Sequence, residues 1–588
     1  MESQSAPQAD ESCPPLNTKP ADAREFTFRG VVVALCVAAL IGASYPYVVL
    51  KLGFGPNIAV VSAFFGFLAL AIGPRRGLLR WESNLAQSAG TIAGQTAFMC
   101  TVMAAFDMLT MDGDAGVNLT LTRTQTFLWL TSAGTLGVLM AVPMRQHFVV
   151  DEKLPYADGL AAAETLIVLD SRGAQAKRAI LSMLSGLAAS ALVTLGYMRN
   201  FFGEEVLFLV NRFSKVTHVG LSVSLLSLGS GMIIGLRICA NMFAGLLLSW
   251  VVAPMILAHY GIITENATKR DILLWVMWPA TGMMVAGGLT ALVLKWNILA
   301  KTFRNLSSAK VNAQDFPMRW VIIGSILSVI AIVLVQYFSL GLPIWMTLLA
   351  ILFTLPLMLV GLRVLGETNW GPISALSNLM QGVFGLIAPR NIQANMVASG
   401  LTGTIVADSE GLMQSYKTGH VIGSTPKYLT YIQLMAVPVG AGAVAIIYPM
   451  LKANFGFGEH GLSSPISQKW VGFAKLLGKG LDALHPSAFV ALAIAVVLGI
   501  AFTVLEQKKE IKNWVPSPTG IGIGMLVPAT AVATMFVGAW VDFVFRRRDP
   551  QGVDGWILPL ASGLIAGEAL IVVILSLLLA AGVLSPAG

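Results

Sequence analysis

Charge is what this sequence has least of. Asp, Glu, Lys and Arg together make up 12% of 588 residues, about half the share usual in soluble globular domains. Hydrophobic residues make up 56%, and the mean hydropathy is +0.75 over 62.4 kDa. A single aqueous core stops growing at about 250–300 residues, so this much apolar surface excludes an ordinary water-soluble enzyme. The surrounding medium has to be lipid. Cysteine is also scarce: Cys13, Cys36, Cys100 and Cys239 stand far apart with no Cys-x-x-Cys pair, which excludes a redox or metal motif of that kind and leaves them as packing residues. The six histidines show no paired ligand spacing. There is no Walker A loop to couple ATP and no His-Glu-x-x-His helix of a membrane protease. An intramembrane enzyme therefore lacks a catalytic constellation, and no cofactor or bare metal is called for.

What is present is a long succession of apolar runs. A helix needs about 20 apolar residues to cross the hydrocarbon layer, and runs lie at about 28–50, 57–73, 83–106, 126–144, 178–200, 218–236, 239–259, 273–294, 320–338, 340–361, 371–388, 392–407, 428–450, 485–505, 520–545 and 557–581. They predict an all-α polytopic membrane protein with 14–16 spans. The 58 glycines and 27 prolines sit inside these runs, where closely packed or broken membrane helices use them. The 25 methionines, spread through the same runs, read as packing residues. The net charge of +8 is distributed over short loops, as orientation signals are, and implies no nucleic-acid partner. Residues 1–26 read as a disordered cytoplasmic tail. The basic stretch 297–319, with Lys301, Arg304, Lys310 and Arg319 and with Lys295 just before it, reads as a cytoplasmic linker between transmembrane halves 27–296 and 320–588. Arg75, Arg76 and Arg80 agree with that orientation, whereas Arg546–Arg548 fall outside on a count of sixteen. A re-entrant segment near 518–527 would restore the balance.

The two halves resemble each other, as transporter repeats do. Leu52-Gly53-Phe54-Gly55-Pro56 echoes Leu340-Gly341-Leu342-Pro343, and Glu82-Ser83-Asn84 echoes Glu367-Thr368-Asn369. Gly231-Met232 with Met242-Phe243-x-Gly245 recurs as Gly524-Met525 with Met535-Phe536-x-Gly538, and Pro279 with Ala286-Gly287 as Pro559 with Ala566-Gly567. Polar residues form stripes within spans. Asn84, Gln87, Ser88, Thr91 and Gln95 fall on one face of the third span. Ser374, Asn378 and Gln381 do the same after the interrupted stretch Asn369-Trp370-Gly371-Pro372. Such stripes line a substrate path or act as interhelical glue. Glu568 sits mid-span, where an ionisable group carries function by default: it relays protons or pairs with a base still to be found. Glu82 and Glu367 stand at helix entrances, where a carboxylate also complements the helix dipole. Arg237 either takes a substrate carboxylate or ends a helix at the cytoplasm. The acidic segment 150–164, ending in Glu164, is too short to span, and the polar junction from Asp408 to His420 reads either as a site for an amine or metal chelate or as a solvated loop.

At these residues the sequence resembles the oligopeptide transporter family, which includes fungal and plant peptide transporters and the yellow-stripe-like metal-chelate carriers. The likeness runs through Lys51-Leu52-Gly53, Glu82 to Gln87, Glu152-Lys153-Leu154-Pro155-Tyr156 with Ala163-Glu164, Gly371 to Pro389, Lys417-Thr418-Gly419 and Pro516 to Pro528. It departs at Ala157-Asp158 and at Asn369-Trp370-Gly371-Pro372, near the expected path. The resemblance implies a proton-coupled importer of about sixteen helices carrying small peptides, glutathione-like compounds or metal chelates. The compact loops resemble the prokaryotic branch, which implies a bacterial inner membrane with the N-terminus in the cytoplasm. A homo-oligomer is left open, and a passive channel fits repeated, broken helices less well than alternating access does. The expected substrate ligands are Asn84, Gln87, Ser88, Thr91, Asn369, Ser374, Asn378, Gln381 and Arg237. The expected proton carriers are Glu568, Glu164, Glu82, Glu367 and Asp408.

Overall fold

A computed structural model describes residues 24–580 except 53–57, 72–78, 112–116, 171–173, 199–200, 204, 209–212, 264–268, 295–315, 369–370, 458–461, 480–485, 509, 512–513 and 549–552. The expected tail up to residue 23 and nearly all of the basic linker lie outside the described residues. The first half contains α1 (Phe28–Leu52), α2 (Ile58–Ala71), α3 (Arg80–Phe98), α4 (Cys100–Met111), α5 (Arg123–Ala141), α6 (Ala157–Asp170) and α7 (Ala174–Met198). It continues with β1 (Glu205–Leu207), α8 (Ser214–Thr217), β2 (Gly220–Ser222), α9 (Leu225–Ile234), α10 (Leu236–Leu246), α11 (Ala253–His259) and α12 (Lys269–Leu294). The second half holds α13 (Met318–Leu340), α14 (Ile344–Thr368), α15 (Ile373–Ile387), α16 (Ile392–Ile422), α17 (Pro426–Phe455), α18 (Pro465–Lys479), α19 (Pro486–Leu505), α20 (Pro518–Leu526), α21 (Ala529–Arg548) and α22 (Val553–Ala580). Apart from the antiparallel β1–β2 ribbon, the described fold is all-α. Ten of its described helices are long and apolar enough to cross a membrane.

The halves are interlocked. α7 packs chiefly on α22, and α19 on α12; α9 packs on α21, and α20 on α10; α3 packs on α17, and α16 on α5. Each pair is the other with the halves exchanged. At the centre this exchange is exact to the residue. A Cβ at Gly231 would meet the carbonyl oxygen of Met535, and one at Gly524 that of Met242; Gly245 meets Ile521 and Gly538 meets Leu228 in the same way. Every one of these equivalences is a shift of 293 positions. Phe243 and Phe536, related by the same shift, stack with centroids 4.8 Å apart, so a pseudo-twofold axis passes between them. Only glycine lets two backbones come this close, and small residues at the contact are how helices associate in lipid.

Further contacts set the register of the outer helices. The N–H of Tyr156, before α6, donates to the Gly366 carbonyl in α14 at 3.1 Å, and the N–H of Ser464, before α18, donates to the Leu50 carbonyl in α1 at 2.8 Å. Both donors have positive φ, 41° and 36°. α1 therefore corresponds to α14, α6 to α18, and α3 with α4 to α16. Two of the expected echoes are thereby corrected. Glu82 opens α3, whose counterpart is α16, whereas Glu367 closes α14, whose counterpart is α1; Leu340 ends α13, which packs on α5 and has no counterpart among the described helices of the first half. Short likenesses at helix junctions do not carry enough information to set a register of this length. The equivalence of Asn84, Ser88 and Thr91 with Asn395, Ser399 and Thr402 fits the contacts instead.

Three other expectations change. The run at 520–545 is two helices, α20 and α21, broken at Val527-Pro528. α20, with 9 residues, is about 14 Å long and cannot cross. The polar junction from Asp408 to His420 is no loop but the second half of α16, a 31-residue helix buried along nearly its whole length. α18, which the apolar runs did not reveal, packs on α4, α12, α15 and α16.

The glycine contacts can be tested by thermal unfolding in detergent. Gly231→Ala and Gly524→Ala each force a methyl against a backbone carbonyl and should lower stability by about 1–3 kcal/mol. Gly382→Ala, where no heavy atom lies within 4 Å of the added carbon, should be neutral or stabilise by a few tenths of a kcal/mol.

Candidate functional site

Buried polar groups that lack partners are expensive in any interior and more so in a membrane, so they mark where a polar ligand is to be sought. The densest group lies between α15, α16 and α18. Ser374, Asn378 and Gln381 share one face of α15, as their spacing requires. That face is pinned to α18 at both ends: the Lys469 ammonium donates to Ser374 Oγ, and Gln381 Nε2 donates to the Trp470 carbonyl at 3.1 Å. α16 joins through Asn395 Nδ2, which donates to the Gln381 carbonyl at 2.6 Å. Within this frame both amide atoms of Asn378, Oε1 of Gln381, Oδ1 of Asn395, Nε1 of Trp470 and the hydroxyls of Ser377 and Ser399 are buried without a hydrogen-bond partner.

The stripe on α3 is better satisfied. Asn84 Nδ2 donates to Ser424 Oγ at 2.9 Å, Gln87 Nε2 to Thr91 Oγ1 at 2.9 Å, and Gln433 Nε2 to Ser88 Oγ at 3.1 Å and Ser415 Oγ at 2.9 Å. Only Oδ1 of Asn84 and Oε1 of Gln87 in this stripe, with Ser83 beside it, stay open. Much of the α3 stripe is thus interhelical bonding. Asn369 lies outside the described residues, and so does the side chain of Glu367 in the last turn of α14. Arg237 does not join either group. Its guanidinium is in a half-exposed ion pair with Glu506 at 2.9 Å, which links α10 to the end of α19.

The carboxylates separate into distinct environments. Glu568 finds the base that the sequence left unnamed: it accepts from Lys51 Nζ at 3.1 Å, from Ser224 Oγ at 2.8 Å and from the Leu226 N–H at 3.0 Å. It therefore caps the first turn of α9, where the helix dipole favours an anion, and ties α1 and α22 to that turn. Asp408, inside α16, accepts from Thr96 Oγ1 at 3.1 Å while its Oδ2 has no partner. Glu410, two residues on and fully buried, packs against Gly361 and Gly371 and also leaves Oε1 open. Glu82 accepts from Thr27. Glu164 is exposed on α6. In the acidic segment before α6, Glu152 pairs with Arg363 at 2.7 Å and lies 3.3 Å from His147, so this segment fastens α14.

Three side chains of this layout were not singled out from the sequence. Lys469 had no signal, because α18 lacks a full apolar run. Glu410 was visible only within a stretch taken as a junction, and Lys51 only as part of a motif. A family model described as "OPT oligopeptide transporter protein" matches residues 25–579. The chain belongs to this family. Its relatives include a putative oligopeptide transporter of Saccharomyces cerevisiae, 22% identical over 97% of this chain and 98% of the yeast protein. A metal-nicotianamine transporter of Arabidopsis thaliana is 23% identical over 96% and 94%, and a putative oligopeptide transporter of Haemophilus influenzae 24% identical over 91% and 93%. The OPT chain is accordingly a multi-pass membrane transporter of small molecules and not an enzyme.

The Lys51–Glu568 pair carries its own test. Removing one partner of a buried pair leaves an uncompensated charge and costs about 3–5 kcal/mol. Lys51→Met should therefore lower the unfolding temperature more than the double variant Lys51→Met/Glu568→Gln does, and a scan of the three proteins in detergent checks the order.

Proposed function

We propose that this OPT transporter is a secondary active, proton-coupled importer of small peptides in a bacterial cytoplasmic membrane. The observation that carries the reading is the buried, unsatisfied polar cluster between α15, α16 and α18. A peptide offers the amide donors and acceptors that Asn378, Gln381, Asn395 and Trp470 lack, and burying it there satisfies groups that are otherwise left unpaired at a cost. Asn84 and Gln87, with one open oxygen each, continue the polar surface on α3. Thr91 holds Gln87 in place, while Ser88 accepts from Gln433 and Ser374 from Lys469.

Proton coupling is assigned to carboxylates inside α16. Asp408 and Glu410 are enclosed, each with an oxygen lacking a partner, and α16 touches both halves through α5 and α14. Glu568 already has an ammonium, a hydroxyl and a backbone N–H as partners and is the less favoured carrier. Glu82 is likewise engaged. Glu164 lies on the surface and remains a candidate for entry of the proton. Carriage of metal chelates is the second reading, favoured by the plant relatives named for metal-nicotianamine transport, since a chelate of an amino-acid-like ligand presents polar groups of the same kind.

Two measurements separate the parts of this proposal. Asp408→Asn and Glu410→Gln should reduce uptake driven by a pH gradient in proteoliposomes by more than tenfold while counterflow exchange at equal pH continues. Gradient-driven uptake at the wild-type rate in both would remove them from coupling, and Glu568→Gln and Glu164→Gln in the same assay rank the remaining carboxylates. Asn378→Leu should weaken peptide binding at least tenfold, about 1.4 kcal/mol, with the unliganded unfolding temperature at or above that of the wild type. Unchanged affinity would move the site elsewhere.

A further inference from the structure

Lys469 is buried, with 5% of its surface exposed, and its ammonium is bonded to the hydroxyl of Ser374 with no ion pair to a carboxylate among the described residues. A buried cation is ordinarily paired, because removing an isolated charge from water is far more costly than removing a neutral polar group. The residues around it do not repair the deficit: Asn378 has both amide atoms open, and Trp470 Nε1, on the adjacent residue of α18, has no acceptor. The Lys469 ammonium is thus held at Ser374, one turn before Asn378 on the same face of α15, and the Gln381–Trp470 contact lies about a turn further along that face. The pseudo-symmetry shows that the fold itself does not require this charge. In the first half, α6 occupies the place of α18 and contains no Lys or Arg but Asp158, Glu164 and Asp170, and α2, in the place of α15, has Ser62 as its one polar side chain.

We infer that Lys469, with the amide of Asn378 and the indole N–H of Trp470, binds a carboxylate group of the transported substrate and so fixes which end of it faces the second half. This rests on the transport reading above and narrows it: the substrate needs a free carboxylate, which both an unblocked peptide and an amino-acid-based chelate supply. The cation here acts as a point charge, as lysine does, and the two neutral donors set the direction from which the carboxylate approaches.

The test uses the full-length transporter in lipid nanodiscs and proteoliposomes with trialanine, trialanine amide and nickel-nicotianamine as probes. In the wild type, trialanine should raise the unfolding temperature and be taken up, its C-terminal amide should require at least tenfold more for half-saturation, and a bound chelate should displace trialanine only if it shares the site. Lys469→Met keeps the length of the side chain and removes the charge; it should abolish the preference for the free acid by weakening trialanine and leaving the amide unchanged. Lys469→Arg should retain part of the preference. A Lys469→Met protein that still prefers the acid overturns the inference. So does a wild type that takes acid and amide equally, which needs no variant and leaves the transport reading standing. If neither trialanine nor its amide binds but nickel-nicotianamine does, loss of chelate binding in Lys469→Met supports the carboxylate role and retained binding overturns it. If none of the three probes binds, the transport reading falls and this inference falls with it.

Discussion

Helices surrounded by lipid gain little by hiding apolar side chains from one another, because the acyl chains are as apolar as they are. What holds this protein's halves together at the centre is the approach of backbone to backbone at glycine. Gly231, Gly245, Gly524 and Gly538 each face a carbonyl oxygen of the other half, and the four contacts form two symmetry-related sets around the stacked Phe243 and Phe536. The remainder depends on this. α9 and α20 are too short to cross a membrane, and α21 with α22, and α10 with α12, hold them in place. The first turn of α9 then presents the N–H groups that Glu568 caps, so the buried ion pair with Lys51 follows from the central packing.

Much of the architecture was legible in residue order. The deficit of charge named the solvent, the apolar runs located most of the long helices, and the 293-residue echo at Gly231 and Gly524 corresponds to real contacts. The reason is physical: a glycine that must touch a carbonyl in each half leaves the same mark twice. The echoes that misled, at Glu82 and Glu367 and at the two Leu-Gly turns, involve residues at helix ends, where the local demands of termination produce likeness without common position. α18 escaped notice because its face is mixed, and the end of α16 is readable either as a ligand site or as a loop because Asp408, Ser409 and Glu410 look solvated without the helices that cover them.

The site was legible by kind and less so by pairing. Asn378 and Gln381 stood out as polar residues in an apolar run, and they do lie in the unsatisfied cluster. Asn84, Gln87, Ser88 and Thr91 stood out for the same reason, yet most of their hydrogen bonds are made to neighbouring helices and to each other. Periodicity shows which residues share a face; it does not show what covers that face, which depends on helices up to about 345 positions away, as with Gln433 and Ser88. Lys51 and Glu568 are separated by 517 positions. Nothing local in the sequence announces such a pair.

The exchange of partners between halves has a consequence for how the chain is made. α7 finds its main surface on α22, the last helix, and α12 finds its own on α19. When the ribosome has delivered the first half, these helices have been threaded into the bilayer but face lipid where protein will later stand. Inserted helices of the first half therefore wait for their partners, and α7 gains its main protein surface only when α22 is in place. Neither half covers its own helix faces, so neither can serve as a finished unit on its own.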